Sequence, residues 1–137
     1  MRLRILVSGL AFFGVALLLA ALPVVAQGHN TPPTDLPCTL EGTSGPDLLQ
    51  GTPGADVICG FGGADTITAK GGNDLVKGGG GADVIYGDTG RDTLVGGRGN
   101  DRLYARDSEH DHVDGRTGSD YARVDNPLDT LRSIESS

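Results

Sequence analysis

From Gly42 to Tyr104 an aliphatic side chain returns every nine residues: Leu49, Ile58, Ile67, Val76, Ile85, Leu94 and Leu103. Two residues before each stands an aspartate (Asp47, Asp56, Asp65, Asp74, Asp83, Asp92, Asp101), and two before that a glycine (Gly45, Gly54, Gly63, Gly72, Gly81, Gly90, Gly99). The stretch divides without insertion into GTSGPDLLQ, GTPGADVIC, GFGGADTIT, AKGGNDLVK, GGGGADVIY, GDTGRDTLV and GGRGNDRLY. A generic Gly-rich linker has no reason to hold three positions fixed among variable ones, so this is a short-period structural repeat. Positions seven to nine of each unit predict a three-residue strand whose middle side chain points inward, because strand side chains alternate. Glycine at position four permits a positive φ or a close backbone approach. Stacked units then build a narrow column of aliphatic side chains, an all-β solenoid in place of a globular core.

The flanks depart from this rhythm. Residues 27–37 contain Thr31, Pro32, Pro33, Thr34 and Pro37 without periodicity and read as an extended linker, with Cys38 to Glu41 as an N-terminal cap; together, 27–41 precede the repeats. After Tyr104, Ala105 to Asp114 runs to ten residues and lacks the glycines, yet keeps Asp111 two before Val113. Gly115 to Arg123 regains Gly118 and Asp120, with the small Ala122 at the core position, so the solenoid is expected over 42–123. Residues 124–137, with Val124, Leu128, Leu131 and Ile134, are expected to cap the open end of the core and its strand edge.

The first 26 residues have another character. Arg2 and Arg4 precede an apolar run from Ile5 to Leu22, and Val24 and Ala26 occupy the −3 and −1 positions of a small-residue cleavage site. This is the pattern of a secretory signal peptide, 1–26, with an extracellular destination. An uncleaved membrane anchor is the alternative; Pro23 and the lack of a basic stop-transfer cluster favour cleavage, after which no membrane association is expected. Cleavage would take two of the 11 basic residues, leaving nine against 18 acidic ones and a net charge of −9. Such acidity disfavours nucleic acid and anionic lipid and favours cations. Only Phe61, Tyr86, Tyr104 and Tyr121 remain as aromatics. Two cysteines behind a secretion signal, Cys38 and Cys59, are expected to form a disulfide that ties the cap to the second repeat.

The aspartates need a physical explanation. Stacking one at the same place in every coil accumulates negative charge, and something cationic must lie between them. At this point the residues resemble a known family. The hemolysin-type, or RTX, nonapeptide GGxGxDxUx, with U a large aliphatic, is matched at every specified position by Gly78 to Tyr86 and by Gly96 to Tyr104. The resemblance implies a parallel β-roll, a β-helix solenoid of 18-residue coils each made of two nonapeptides. It implies Ca²⁺ held in the turns by aspartate carboxylates and main-chain carbonyls, the hard oxygen ligands this ion prefers.

Carried onto this chain, the resemblance gives two aspartate ladders: Asp47, Asp65, Asp83 and Asp101 on one edge, Asp56, Asp74 and Asp92 on the other. Shared ions between consecutive members make about five Ca²⁺, and Asp111 offers a sixth site with Asp92. The shorter glycine complement around Asp111 and Asp120 weakens the expectation there. Because the aspartates repel and the core is thin, the chain is expected to fold on binding calcium.

His110 and His112 beside Asp111 and Asp114 could suggest a transition-metal site, but a third ligand at suitable spacing is missing and a solvated turn is the preferred reading. No HExxH, GxSxG or Ser/His/Asp arrangement occurs, so no enzyme is expected. The alternative function is calcium-dependent adhesion or self-association through outward apolar residues Leu48, Val57, Leu75, Val84, Tyr86 and Tyr104, with the protein or surface partner left open.

Overall fold

The computed structural model of the 137-residue chain describes residues 36–135; the expected signal peptide and most of the linker lie outside the described residues. The described chain is all-β and consists of eleven short strands: β1 (Leu40–Glu41), β2 (Leu48–Gln50), β3 (Val57–Cys59), β4 (Thr66–Thr68), β5 (Leu75–Gly80), β6 (Val84–Tyr86), β7 (Thr93–Arg98), β8 (Arg102–Ala105), β9 (His112–Thr117), β10 (Tyr121–Val124) and β11 (Thr130–Arg132). They alternate between two parallel sheets, ordered β1-β3-β5-β7-β9-β11 and β2-β4-β6-β8-β10. This is the expected β-roll, wound for about five turns.

Register follows from the repeat length. Ile67 pairs with Ile85 and Ile85 with Leu103, each 18 residues on. The single inserted residue after Tyr104 changes the step to 19, pairing Leu94 with Val113 and Leu103 with Ala122, and the next coil returns to 18, pairing Val113 with Leu131. A one-residue slip would have turned every side chain to the wrong face. The insertion is confined to the turn 106–111, so the strands keep their inward column.

That column forms most of the core, with Ala69 and Ala105 buried in the same cluster. Ile58, Ile67, Val76, Ile85, Leu94, Leu103 and Val113 are fully buried, with Leu49 at the first coil and Leu40, Ala122, Val124 and Ile134 packed against the ends. Five strands exceed the expected three residues, β8 and β10 by one residue and β5, β7 and β9 by three. β5, β7 and β9 each continue through the first three residues of the next unit, because Gly79–Gly97 and Gly97–Arg116 also pair across coils.

Cys38 and Cys59 are disulfide-bonded, and β1 pairs with β3 so that Leu40 lies beside Ile58 at the first turn of the stack. At the other end β11 joins β9 as a further strand, and its outer face is exposed. The position-seven residues split between the two sheets: Leu48 and Val84 lie on one, Val57 and Leu75 on the other. Leu48 is 70 % exposed whereas Leu75 is buried.

Candidate metal-binding ladders

The aspartate at position six precedes each strand and turns its carboxylate into the gap between coils. On the first edge, the main-chain N–H of Asp47 donates to Oδ1 of Asp65 (2.8 Å), Asp65 to Asp83 (2.9 Å), Asp83 to Asp101 (2.9 Å) and Asp101 to Asp120 (2.9 Å). On the second edge, Asp56 donates to Asp74 (2.7 Å), Asp74 to Asp92 (2.9 Å), Asp92 to Asp111 (2.8 Å) and Asp111 to Asp129 (3.0 Å). One carboxylate oxygen of each interior aspartate is thereby fixed by the coil before it.

The other oxygen behaves differently at the ends and in the interior. In the first turn of each ladder, Thr43 satisfies Oδ2 of Asp47 and Thr52 satisfies Oδ2 of Asp56, each through a main-chain N–H at 2.6 Å and a hydroxyl at 2.9 Å. The main-chain bond from Thr52 is the main reason that Asp56 ionises more readily than an ordinary aspartate. In Asp65, Asp74, Asp83, Asp92, Asp101 and Asp120, Oδ2 is buried and has no hydrogen-bond partner. A buried, unpartnered carboxylate oxygen is strongly unfavourable unless a cation meets it.

Glycine makes room for these oxygens. A Cβ at position one of the unit would fall 2.4 Å from Oδ2 at Gly60 (Asp65), at Gly78 (Asp83) and at Gly115 (Asp120). At position four, the Gly81 Cα lies over the Gly63 carbonyl so closely that a Cβ would sit 1.8 Å from its oxygen, and φ there is +128°. Carbonyl oxygens and carboxylates of adjacent coils are thus packed into the same turns.

Burial sets the electrostatics. Removal from water pushes Asp74, Asp101 and Asp111 up to about 6 and Asp92 up to about 8, and raises Asp65 and Asp83 as well. The hydrogen bond from the preceding aspartate's N–H opposes this, and neighbouring carboxylates add to it. Ionised neighbours one strand spacing apart repel by about 3 kcal/mol at an effective dielectric constant of about 20. Summed over two ladders, that exceeds the whole stability of a small domain, about 5–15 kcal/mol.

Every sequence-expected ladder residue takes its place in one of these two columns: Asp47, Asp65, Asp83 and Asp101 in the first, Asp56, Asp74, Asp92 and Asp111 in the second. Asp120 continues the first and is as buried as the regular members. Asp129 continues the second, from within the segment expected only to cap. Its signal was legible as Asp129-Thr130-Leu131, the same aspartate–aliphatic spacing 18 residues after Asp111, but Pro127 stands where the glycine would be.

The insertion adds an acid of its own. Gly72 and Gly81 donate their N–H groups to the position-three carbonyls of the next coil, Thr89 and Arg98. Gly90 instead donates to the Asp107 carboxylate at 2.6 Å, and Ser108 donates to Asp125. His110 and His112 do not converge with a third ligand; among the described residues no three His, Cys, Asp or Glu side chains cluster as a metal site. A cation between coils must therefore draw on main-chain carbonyls or water as well as carboxylates, a donor set of hard oxygens suited to Ca²⁺.

Comparison with protein families finds the RTX calcium-binding nonapeptide repeat in four overlapping copies, at residues 41–76, 60–94, 77–109 and 86–122. Comparison with curated proteins and with solved structures gave no match. With the matched residues covering more than half of the chain and coinciding with the ladders, the chain belongs to the RTX calcium-binding nonapeptide repeat family.

Proposed function

We propose that this chain is a secreted, non-catalytic calcium-binding β-roll whose folding is coupled to the ion. The observation that carries the reading is the buried Oδ2 of six ladder aspartates, each lacking a partner. The residues that would hold calcium are the ladder aspartates with the carbonyls of the glycine turns. When bound, the ion supplies the positive charge shared between neighbouring carboxylates.

Each ladder of five aspartates has four gaps. The five gaps among the regular repeats are joined by Asp92–Asp111, Asp101–Asp120 and Asp111–Asp129, so the full stack accommodates up to about eight ions if each gap holds one. Thr43 and Thr52 already satisfy the outermost oxygens, which marks where each ladder begins.

Coupling follows from magnitudes. The core is little more than one aliphatic residue per nonapeptide, and chain entropy opposes it by about 1–2 kcal/mol per residue. With ionised aspartates repelling across each gap, the metal-free roll has too little burial to offset both terms. Extracellular calcium modules work at about 10⁻⁴ to 10⁻³ M. Export by the signal at 1–26 would deliver the unfolded chain to calcium and let it fold there.

The test is far-UV circular dichroism of residues 27–137 during a calcium titration, with magnesium as control. A β signal should appear at millimolar calcium and not at equal magnesium; an unchanged spectrum would overturn the proposal. The alternative, surface association, loses support at position seven, where the residues are divided between two faces and Leu75 is buried, and keeps it at Tyr86 and Tyr104, whose rings stack at 4.8 Å on one sheet.

A further inference from the structure

The position-two column on the first edge reads Phe61, Gly79, Gly97 and Arg116, and all four residues have positive φ (69°, 110°, 123° and 74°). The two glycines leave a gap between a phenylalanine and an arginine. The result is a groove of about 520 Å³ lined by Phe61, Gly79, Gly80, Val95, Arg98 and Arg116, with Thr117 at its end. It lies on the outside of the extended strands, whereas the ladder carboxylates are buried between the coils.

Its chemistry runs against the rest of the molecule. On a chain of net charge −7, the groove gathers two guanidinium groups. Arg116 ties only its Nε to Asp114, at 3.1 Å, which leaves the terminal N–H groups of its fork for another acceptor. Phe61 is 55 % exposed. Position two also takes a positive φ with Lys70, Asp88 and Arg116, so the turn sets this backbone for non-glycine residues too; at Phe61 the side chain is a bulky ring where the next two coils carry glycine. Neither burial nor backbone geometry accounts for an aromatic ring there; a ligand would.

We propose that this groove binds an anionic saccharide, a pyranose chain bearing carboxylate or sulfate groups. Phe61 offers a single flat wall, suited to the one apolar C–H face of a pyranose; a flat aromatic acid would need a second wall to be sandwiched. Arg98 and Arg116 supply forked donors that match a carboxylate or sulfate. Phe61 and Arg98 stand two coils apart, about 10 Å at strand spacing, a span that a short oligosaccharide covers and a single ring does not. The glycine floor lets the chain lie close to the backbone. The inference rests on the calcium-folded roll proposed above, but no ladder carboxylate takes part in the groove.

The test uses the folded chain, checked by circular dichroism, in calorimetric titrations with oligogalacturonate, a heparin-derived oligosaccharide, a neutral maltooligosaccharide and a single-stranded oligonucleotide of matched charge. The carboxylated or the sulfated sugar should bind and the neutral sugar should not; which of the two binds identifies the anionic group. Phe61→Gly and Arg98→Gln should each weaken binding by roughly tenfold, the loss of one stacking or charge-assisted contact. Phe61→Gly places at this positive φ the residue that the next two coils carry there, so the variant folds. Absence of binding by both anionic sugars, binding unaffected by both variants, or tighter Phe61-dependent binding of the oligonucleotide would each overturn the proposal. Failure here would leave the circular dichroism response to calcium unchanged.

Discussion

Oδ1 of Asp83 accepts the main-chain N–H of Asp65 at 2.9 Å, while its Oδ2 is buried without a partner. One carboxylate therefore does two jobs, locking the preceding coil and presenting a charge to the gap. Substitution can separate them. Asp83→Asn keeps the acceptor and removes the charge, so the metal-free fold should become more stable while calcium affinity falls by about tenfold or more, the equivalent of ~1.4 kcal/mol. Asp83→Ala should lose on both counts. Calorimetric calcium titration and metal-free circular dichroism of the two variants check the distinction; equal behaviour would show that Oδ1 does not lock the coil.

The raised carboxylates give the metal-free chain an acid-stabilised fold. Below the ordinary aspartate value of 3.8, folded and unfolded chains are both protonated at Asp74, Asp92, Asp101 and Asp111. Above it the unfolded chain ionises while the folded one holds its protons until about 6, and until about 8 at Asp92. The folded state binds more protons in this window, so its stability falls as pH rises through it. Without calcium, β-sheet signal should be strongest near pH 4 and lost by pH 8, whereas calcium affinity should rise over the same interval as the competing protons leave. A pH titration of the circular dichroism signal with and without chelator measures both trends.

Gly81 and Gly45 occupy the same repeat position with different surroundings. A Cβ at Gly81 would lie 1.8 Å from the Gly63 carbonyl oxygen at φ +128°, but at Gly45, in the first coil, the nearest atom is 3.9 Å away. Gly81→Ala should lower stability by about 3 kcal/mol or more, through a forced backbone shift at a conformation alanine resists. Gly45→Ala should be neutral or stabilise by about 0.4–1 kcal/mol by restricting the unfolded chain. Tm in saturating calcium distinguishes them.

Asp129 accepts the N–H of Asp111 from within the last strand. Asp129→Ala should remove about one ion from the calcium stoichiometry, if each gap holds one, and loosen Thr130–Arg132, with little change in the first ladder. Asp120→Ala should act on the first ladder instead. Calorimetric stoichiometry with hydrogen exchange of β11 checks the assignment, and an unchanged stoichiometry in Asp129→Ala would remove that residue from the ladder.

Much of this was legible in the residues because the repeat is strict. A fixed aspartate two residues before a fixed aliphatic forces one side chain into the turn and the other into the core, whatever lies between. The sequence was least informative where glycines fail: the turn at 106–111 looked like an interruption, and Asp129 lay two residues after Pro127 in a segment read as a cap. There the fold is kept by pairing across coils, which local pattern does not encode.

By itself, the sequence determined the nine-residue unit, the inward aliphatic column and the acidity that calls for a cation, while the two alternating ladders were implied by the resemblance to the RTX repeat. The first three follow from periodicity and charge, which are local properties of the chain. Only the tertiary structure decided that a one-residue insertion becomes a 19-residue step without loss of register, and that Oδ1 is held by the neighbouring coil while Oδ2 is left unpartnered. It also brought Phe61 and Arg116, 55 positions apart, to the same groove. Those are consequences of stacking, in which each residue's surroundings come from coils 18 or 19 positions away.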